Sequence, residues 1–413
     1  MRWFYTFIVR CYTLSIRVAA AFNPKAKQWI EGRRNSHLFD AADENKRHSW
    51  IWIHSASLGE FEQGRPVIEA IKKRFPEKKV LLTFFSPSGY EIRKSYPLAD
   101  KVAYLPADTP QNARQLINTF AFEAVFFVKY EFWFNYLEAL SEHKIPTYFL
   151  SARFREQQYF FRWFGRWPRR HLRQVTHFFV QDENSAKLLK SFDIFNVTVT
   201  GDTRFDRVYQ ISRTAQPIPV AEQFLQGRQA FVVGSSWPAD EEKLMEAFGQ
   251  LPENMAVILA PHDISEKHLR TIEEASAYKT IRFSQFTDEM KAKILLVDNI
   301  GLLSQLYRYA SFAYVGGGFG QNIHNIQEAV AYGCPVIVGP KYGNFTEAVD
   351  LVELGGVFAV RNAAELAEMI KRLNADNQFR EHASAICRNY VEGSIGATEK
   401  VMKLVWGKIA NKQ

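Results

Sequence analysis

The stretch IWIHSASLGEFEQGRPVIEAI, residues 51–71, passes from an apolar run through His, Ser, Ala and Gly into a second apolar pattern, and Glu60 stands in the turn between them. A carboxylate there has two ordinary uses. It complements the positive end of the helix that follows, or it takes a proton as a general base when a hydroxyl comes within hydrogen-bond reach. Glu62, two residues on, reads as a helix-start charge. A second stretch with chemical potential is FAYVGGGFGQNIHNIQEAVAYGCPVIVGPKYGNFTEA, residues 312–348. Its apolar strand is expected to run into Gly316, Gly317 and Gly318, with a helix beginning near Ile323. Glycines there let backbone amides approach a phosphate, and a helix start adds a positive dipole. The loop does not fit G-x-G-x-x-G with a downstream ribose acid. Asn325 and Glu328 are three apart and share one helix face. Glu328 would accept from a ribose diol or, more plainly, complement the helix dipole.

Both stretches need a frame. Apolar runs at 50–54, 80–85, 124–128, 146–150, 176–180 and 197–201 alternate with amphipathic segments such as 64–75 and 110–120. The pattern repeats at 230–236, 255–261, 293–298, 312–318, 335–340 and 356–360. Short apolar strands separated by helices predict parallel sheets with crossover helices. At 413 residues the chain exceeds one comfortable core. The expected fold is therefore α/β, with two Rossmann-like doubly wound domains facing one another across a cleft. Residues 48–210 form the first domain and 230–392 the second. The polar, proline-containing segment 211–229 links them, and 393–413 forms a C-terminal helix. Ligands of such sheets sit at the carboxyl ends of the strands.

Charge and cysteine usage narrow the setting. Residues 1–212 carry 32 Lys/Arg against 21 Asp/Glu, whereas residues 213–413 carry 20 against 23. The basic half is suited to an anionic surface or substrate. Cys11, Cys334 and Cys387 have neither metal nor disulfide spacing, as in a reducing compartment. Residues 1–22 are apolar except for Arg2, Arg10 and Arg17, which fall on one side of a helical wheel. Crossing a bilayer would bury Arg10 near its centre at about 2.5–3.5 kcal/mol. Lying in the interface avoids that cost, so residues 1–22 are expected to be a monotopic anchor whose arginines face lipid phosphates; the alternative is a helix packed on the protein's own body. Residues 152–175 hold seven arginines among Tyr159, Phe160, Phe161, Trp163, Phe164 and Trp167. That mixture suits a headgroup layer, a single-stranded nucleic acid or merely a solvated helix face. Beside the N-terminal segment, a lipid surface and a phosphate-bearing substrate are favoured over nucleic acid.

Across almost the whole chain, the motifs IHSASLGEFEQGRPVIEAI, YLPADTP, VKYEFWFN, GDTRFD, LLVDNIGLLSQLY, VGGGFG…HNIQEAVAYGCPVIVGP and NFTEA occur in the order that resembles the 3-deoxy-D-manno-octulosonic acid (Kdo) transferases. The resemblance implies a GT-B fold, no metal or other cofactor, and transfer of Kdo from CMP-Kdo to the lipid A precursor, lipid IVA, at the cytoplasmic face of the inner membrane. It implies that Glu60 is the proton acceptor and that Glu131 and Arg204 support the transition state. It further implies that Pro261, His262, Ile300, Gly301, Leu302, Asn325, Ile326, Gln327 and Glu328 bind CMP; the glycine-rich pattern adds Gly317 and Gly318 of the adjoining loop. Four positions depart from the family pattern. Arg204 stands where Lys is more frequent, Lys129 where an acid is found, His262 where Arg is frequent, and Leu302 where an acid is frequent.

The residue types suit that chemistry. A sugar hydroxyl is a poor nucleophile near neutral pH, so a carboxylate must take its proton as the C–O bond forms. Donor cleavage builds oxocarbenium character at the anomeric carbon and negative charge on departing CMP. Backbone amides at Gly316 to Gly318, a helix start and Arg204 would meet that charge. One carboxylate as base, without a second as nucleophile, implies inversion in a single displacement. The enzymatic alternative is another membrane-associated GT-B glycosyltransferase, or a sugar-nucleotide epimerase, using a UDP-sugar. The non-enzymatic alternative is a lipid- or nucleic-acid-binding protein that uses the same domains as scaffold.

Overall fold

The computed structural model describes residues 1–34, 36–40 and 42–407, in two compact units. The first comprises Met1–Asp206 with Gly396–Gln413, and the second Arg207–Ile395; residues 408–413 of the expected C-terminal helix lie outside the described residues.

The first unit is built on strands β1 Ser49–Ser55, β2 Lys79–Phe84, β3 Lys101–Tyr104, β4 Ala121–Val128, β5 Thr147–Ala152, β6 His177–Val180 and β7 Val197–Val199. They form one sheet in the order β3-β2-β1-β4-β5-β6-β7, and every pair is parallel. The reason for the continuous apolar runs is that helices cover both faces. Trp50 and Trp52 of β1 enter one core with Phe127 and Phe149, while Ile51 and Ile53 enter the other with Phe126 and Leu150. The C-terminal helix Ala397–Trp406 belongs to this second core, in which Trp406 packs on Phe126 and Phe75. Its start is fixed by Asp206, whose carboxylate accepts from the amides of Gly396 and Thr398.

The second unit contains β8 Gln229–Ser236, β9 Met255–Pro261, β10 Thr280–Arg282, β11 Ile294–Leu296, β12 Ala310–Val315, β13 Val336–Val338 and β14 Val357–Ala359. Its sheet runs β10-β11-β9-β8-β12-β13-β14, again all parallel. The segment 211–229, read from composition as a linker, holds the helix Pro219–Leu225, whose Ala221, Phe224 and Leu225 are buried. Ile218 N–H donates to the Tyr309 hydroxyl at 2.6 Å, tying this segment into the second unit.

In each sheet the chain departs in opposite directions from one strand pair. That switch point is β1/β4 in the first unit and β8/β12 in the second, and crevices for ligands open at the carboxyl ends of such pairs.

Candidate functional site

Glu60 follows β1 and Glu131 follows β4, so the first switch point brings the carboxylates of two of the three expected catalytic residues to one sheet edge. Glu60 lies in the first turn of the helix Leu58–Arg74, three residues after its N-cap Ser57. Ser57 and Glu60 have the spacing of a capping box, yet Ser57 caps no backbone amide. Its hydroxyl donates instead to Glu60 Oε2, so the two side chains hold one another at the edge. Glu62 is turned elsewhere, toward Arg93 Nη2 at 2.9 Å.

Behind Glu131 lies a buried network that residue patterning did not single out. His54, fully buried near the end of β1, is 2.9 Å from Thr83 Oγ1 through Nδ1 and accepts from Trp133 Nε1–H through Nε2 at 3.0 Å. An indole N–H only donates, so Nε2 is the acceptor and the neutral ring carries its proton on Nδ1. Thr83 Oγ1 also accepts from Trp52 Nε1 at 2.7 Å. Glu131 Oε2 approaches His54 Nε2 to 3.7 Å with its side chain 17% exposed. The backbone is strained beside it: Lys129 has φ 61° and Ser151, in β5, φ 48°. Left-handed non-glycine residues cost about 1–3 kcal/mol each and gather at functional sites.

Arg204, the third expected catalytic residue, is committed to Asp202. Its Nη2 lies 2.6 Å from Oδ2 and its Nε 3.1 and 3.0 Å from the two oxygens. Burial alone would raise the Asp202 carboxyl, but the Arg204 charge and hydrogen bonds hold it below the usual carboxylate range. Gln63, one turn after Glu60 on the same helix, donates to Asp202 Oδ2 at 3.0 Å. Glu60 and Arg204 are thus linked through one helix and one buried carboxylate.

In the second unit, the expected CMP ligands follow β9 and β11, which are neighbours, and β12, which lies on the far side of β8. Pro261 ends β9 and His262 follows it; Ile300, Gly301 and Leu302 follow β11; the glycine loop and residues 325–328 follow β12. His262 is exposed, as is Ile300 at 88%. Ile326 and Gln327 are buried, and Gln327 donates to Glu347 Oε1 at 3.1 Å. These two offer a ligand only their backbone, whereas Asn325 and Glu328 are partly exposed.

Two expectations for the glycine loop are corrected. Gly316 N–H donates to Gly234 O at 2.9 Å in the strand pairing, and Gly317 N–H to Asp240 Oδ2 at 2.7 Å. Of the three amides only that of Gly318 lacks a protein acceptor among the described residues. The glycines serve chain packing: a Cβ on Gly316 would meet Ser235 O at 2.3 Å, and one on Gly318 would meet Gly339 N at 2.6 Å. The helix expected from Ile323 is a single turn, Gln327–Val330. Asp240, whose carboxylate also accepts from Trp237 N–H and the Tyr314 hydroxyl, is the buried residue that shapes the loop.

The N-terminal helix Arg2–Ala19 docks through Arg2 and leaves Arg10 and Arg17 exposed. Arg2 Nε donates to Asn135 Oδ1 at 3.2 Å, and the Tyr5 hydroxyl to Asp108 Oδ2 at 2.6 Å. The outward face is apolar, with Trp3 78%, Leu14 60% and Val18 64% exposed. So much exposed apolar surface, with Arg10 and Arg17 exposed beside it, is unlike a helix packed for stability alone. No helix among the described residues is long and apolar enough to cross a membrane. A cavity of about 820 Å³ beside this helix is lined by Arg2, Trp3, Phe7, Arg10 and Arg114, among others. In the arginine-rich segment, Trp163 is 91% exposed. Arg169, by contrast, turns inward to donate to Phe160 O and Arg162 O at 2.6 and 3.1 Å.

Residues 31–207 match the family described as 3-Deoxy-D-manno-octulosonic-acid transferase (kdotransferase). The chain is 25% identical over 404 residues to a bifunctional glycosyltransferase/methyltransferase of Fusobacterium nucleatum, covering 89% of this chain and 60% of that relative. It is 26% identical to the 3-deoxy-D-manno-octulosonic acid transferase of Aquifex aeolicus over 78% of this chain and 85% of that one. For the enzyme of that name from Haemophilus influenzae the identity is 23%, over 98% of both. In fold it is similar to the UDP-GlcNAc 2-epimerase of Neisseria meningitidis, with TM-score 0.61 and 18% identity over 87% of this chain and 100% of that one. MurG of Acinetobacter baumannii gives 0.56 and 13% over 87% and 99%. These neighbours show the GT-B fold class.

Proposed function

The chain belongs to the Kdo transferase family of glycosyltransferases, and we propose that it transfers Kdo from CMP-Kdo to a hydroxyl of the lipid A precursor, lipid IVA, with inversion. The observation that carries this reading is the placement of Glu60. It stands at the carboxyl end of β1, at the switch point of the first sheet, oriented by the Ser57 hydroxyl.

Glu60 takes the proton of the acceptor hydroxyl as the new C–O bond forms, and the bond from the anomeric carbon to the CMP phosphate breaks with its electron pair leaving on CMP. Glu131 lies at the same sheet edge and supports the developing positive charge. Arg204, fixed by Asp202, faces the anionic groups of the reactants. The donor nucleotide is held in the second unit by His262, by the loop Ile300–Gly301–Leu302, by the amide of Gly318, by Asn325, by the backbone of Ile326 and Gln327, and by Glu328. Exposed Ile300 suits an apolar contact with the pyrimidine.

The acceptor is an anionic amphiphile. The apolar outer face of the helix Arg2–Ala19, exposed Trp163 and the arginine-lined cavity beside Arg10 and Arg114 are suited to a lipid surface and to phosphate groups. The chain accordingly acts as a peripheral or monotopic protein on the cytoplasmic face of the inner membrane. Incubation with CMP-Kdo and a tetra-acylated lipid A precursor, with products read by mass spectrometry, tests the proposal. A product heavier by one or more Kdo units supports it. Turnover of a UDP-sugar with none of CMP-Kdo supports the alternative glycosyltransferase or epimerase.

A further inference from the structure

The second switch point holds a pair of side chains to which neither the family resemblance nor the residue pattern assigns a role. Trp237 follows β8 and His324 follows the glycine loop after β12. Trp237 Nε1 lies 2.6 Å from His324 Nε2. An indole N–H donates and never accepts, so Nε2 of His324 must present its lone pair and the neutral ring must carry its proton on Nδ1. That Nδ1–H has no acceptor among the described residues. The ring is held in place from several sides. Its backbone N–H donates to Gly316 O at 2.9 Å, and its Cδ2 lies 3.2 Å from where a Cβ on Gly317 would stand. His262 stacks on both partners, with ring centroids 4.2 Å from Trp237 and 4.8 Å from His324. Burial, followed by the nearness of His262, holds His324 below the usual histidine range against the opposing Asp240, which keeps it neutral near pH 7.

We propose that Trp237 is a positioning residue that fixes His324 as the Nδ1–H tautomer, and that His324 donates this hydrogen bond to a phosphate oxygen of the bound nucleotide beside His262. The second clause rests on the donor site proposed above; the first does not. The arrangement gives the site a neutral donor that does not depend on the amides of the glycine loop, two of which are already engaged. It also offers a reason for a histidine at position 262: a flat ring packs on Trp237 while presenting its edge to the same anion.

Long-range ¹H–¹⁵N spectra of the full chain labelled with ¹⁵N-histidine, assigned with His324→Gln, read the tautomer directly. The expected spectrum has His324 Nδ1 protonated and Nε2 unprotonated. Trp237→Phe, which keeps a ring at this exposed position but removes the N–H, should move both shifts toward the other tautomer and weaken nucleotide binding about tenfold. A His324 ring protonated on Nε2 in the native chain, or a Trp237→Phe spectrum identical to it, overturns the assignment. Titration with CMP and, separately, UDP tests the second clause. A shift of Nδ1 with CMP supports both the inference and the donor reading. With UDP alone it supports the inference and overturns the cytidine reading, and with neither it overturns the hydrogen bond to phosphate.

Discussion

Trp133 Nε1–H donates to Nε2 of His54 at 3.0 Å, directly behind the Glu131 carboxylate, which lies 3.7 Å from the same nitrogen. The tryptophan supplies the hydrogen bond that the histidine would otherwise seek from Glu131 or from water. His54 is therefore a neutral strut, and Glu131 remains available at the sheet edge. The whole network hangs on Thr83, the common acceptor for Trp52 and His54.

Thr83→Val should therefore strand two buried donors, at about 1–3 kcal/mol each. Chemical denaturation should show a loss of about 2–6 kcal/mol, largely restored in Thr83→Ser. A valine variant within 0.5 kcal/mol of the native chain, roughly the scatter of ordinary surface substitutions, would show that the network is not needed.

Asp108 links the N-terminal helix to the sheet. Burial, opposed by hydrogen bonds from Tyr5 and from the Asn135 and Tyr136 amides, pushes its carboxyl up from 3.8 to about 6. A raised value in the folded state means that the fold binds more protons than the unfolded chain between those limits. Its contribution to stability is then full below about pH 4 and lost as pH rises through about 6. The stability of the native chain relative to Asp108→Asn should fall by about 3 kcal/mol from pH 4 to pH 7. Urea unfolding at a series of pH values checks the slope; a difference independent of pH contradicts it.

Asp202 behaves in the opposite sense. Its folded value is depressed, so its contribution is present above the ordinary 3.8 and is lost as pH falls through the folded value. Arg204→Ala should cost about 3 kcal/mol at pH 7 by leaving that buried carboxylate without its cation. The difference should close in acid, and Arg204→Lys should retain part of the stability. Equal acid and neutral penalties would place the loss in packing instead.

The outward face of the helix Arg2–Ala19 can be altered without touching its docking residues Arg2 and Tyr5. Trp3→Glu, Leu14→Glu and Val18→Glu together should leave the melting temperature unchanged and weaken binding to anionic phospholipid vesicles at least tenfold, since each buried apolar side chain is worth about 1.5–3 kcal/mol. Deleting residues 1–21 is a poorer test, because it also strips Asp108 of Tyr5. Unchanged vesicle binding would move the membrane contact to the segment around Trp163.

The central strands were legible in the sequence because both faces of each are buried, which writes them as unbroken apolar runs. The two strands that patterning passed over, β3 and β10, are four- and three-residue edge strands in KVAY and TIR, too short for a period to register. Glu60 was legible because a carboxylate in a Ser/Gly turn after an apolar run is unusual in a basic half. The glycine loop was misread because glycine type does not reveal whether an amide faces a ligand or, as at Gly317, a buried aspartate 77 residues earlier. His54, Trp133, Trp237 and His324 were missed for a related reason: each matters through a partner from another strand connection. Histidine within the apolar run IWIH and beside Asn in NIHN was the available signal. The N-terminal segment's amphipathicity was plain, but its orientation depended on Asp108 and Asn135, more than 100 residues away in sequence.

Kdo transfer by a Glu60→Gln variant is the most direct measurement of the account. Glutamine keeps the shape and the hydrogen bond with Ser57 but cannot take a proton. With CMP-Kdo and the tetra-acylated precursor, the variant should lose about 10²–10⁴-fold in turnover, with the melting temperature and CMP affinity of the native chain. Turnover within a few-fold of the native chain would contradict the assignment of Glu60 as the base.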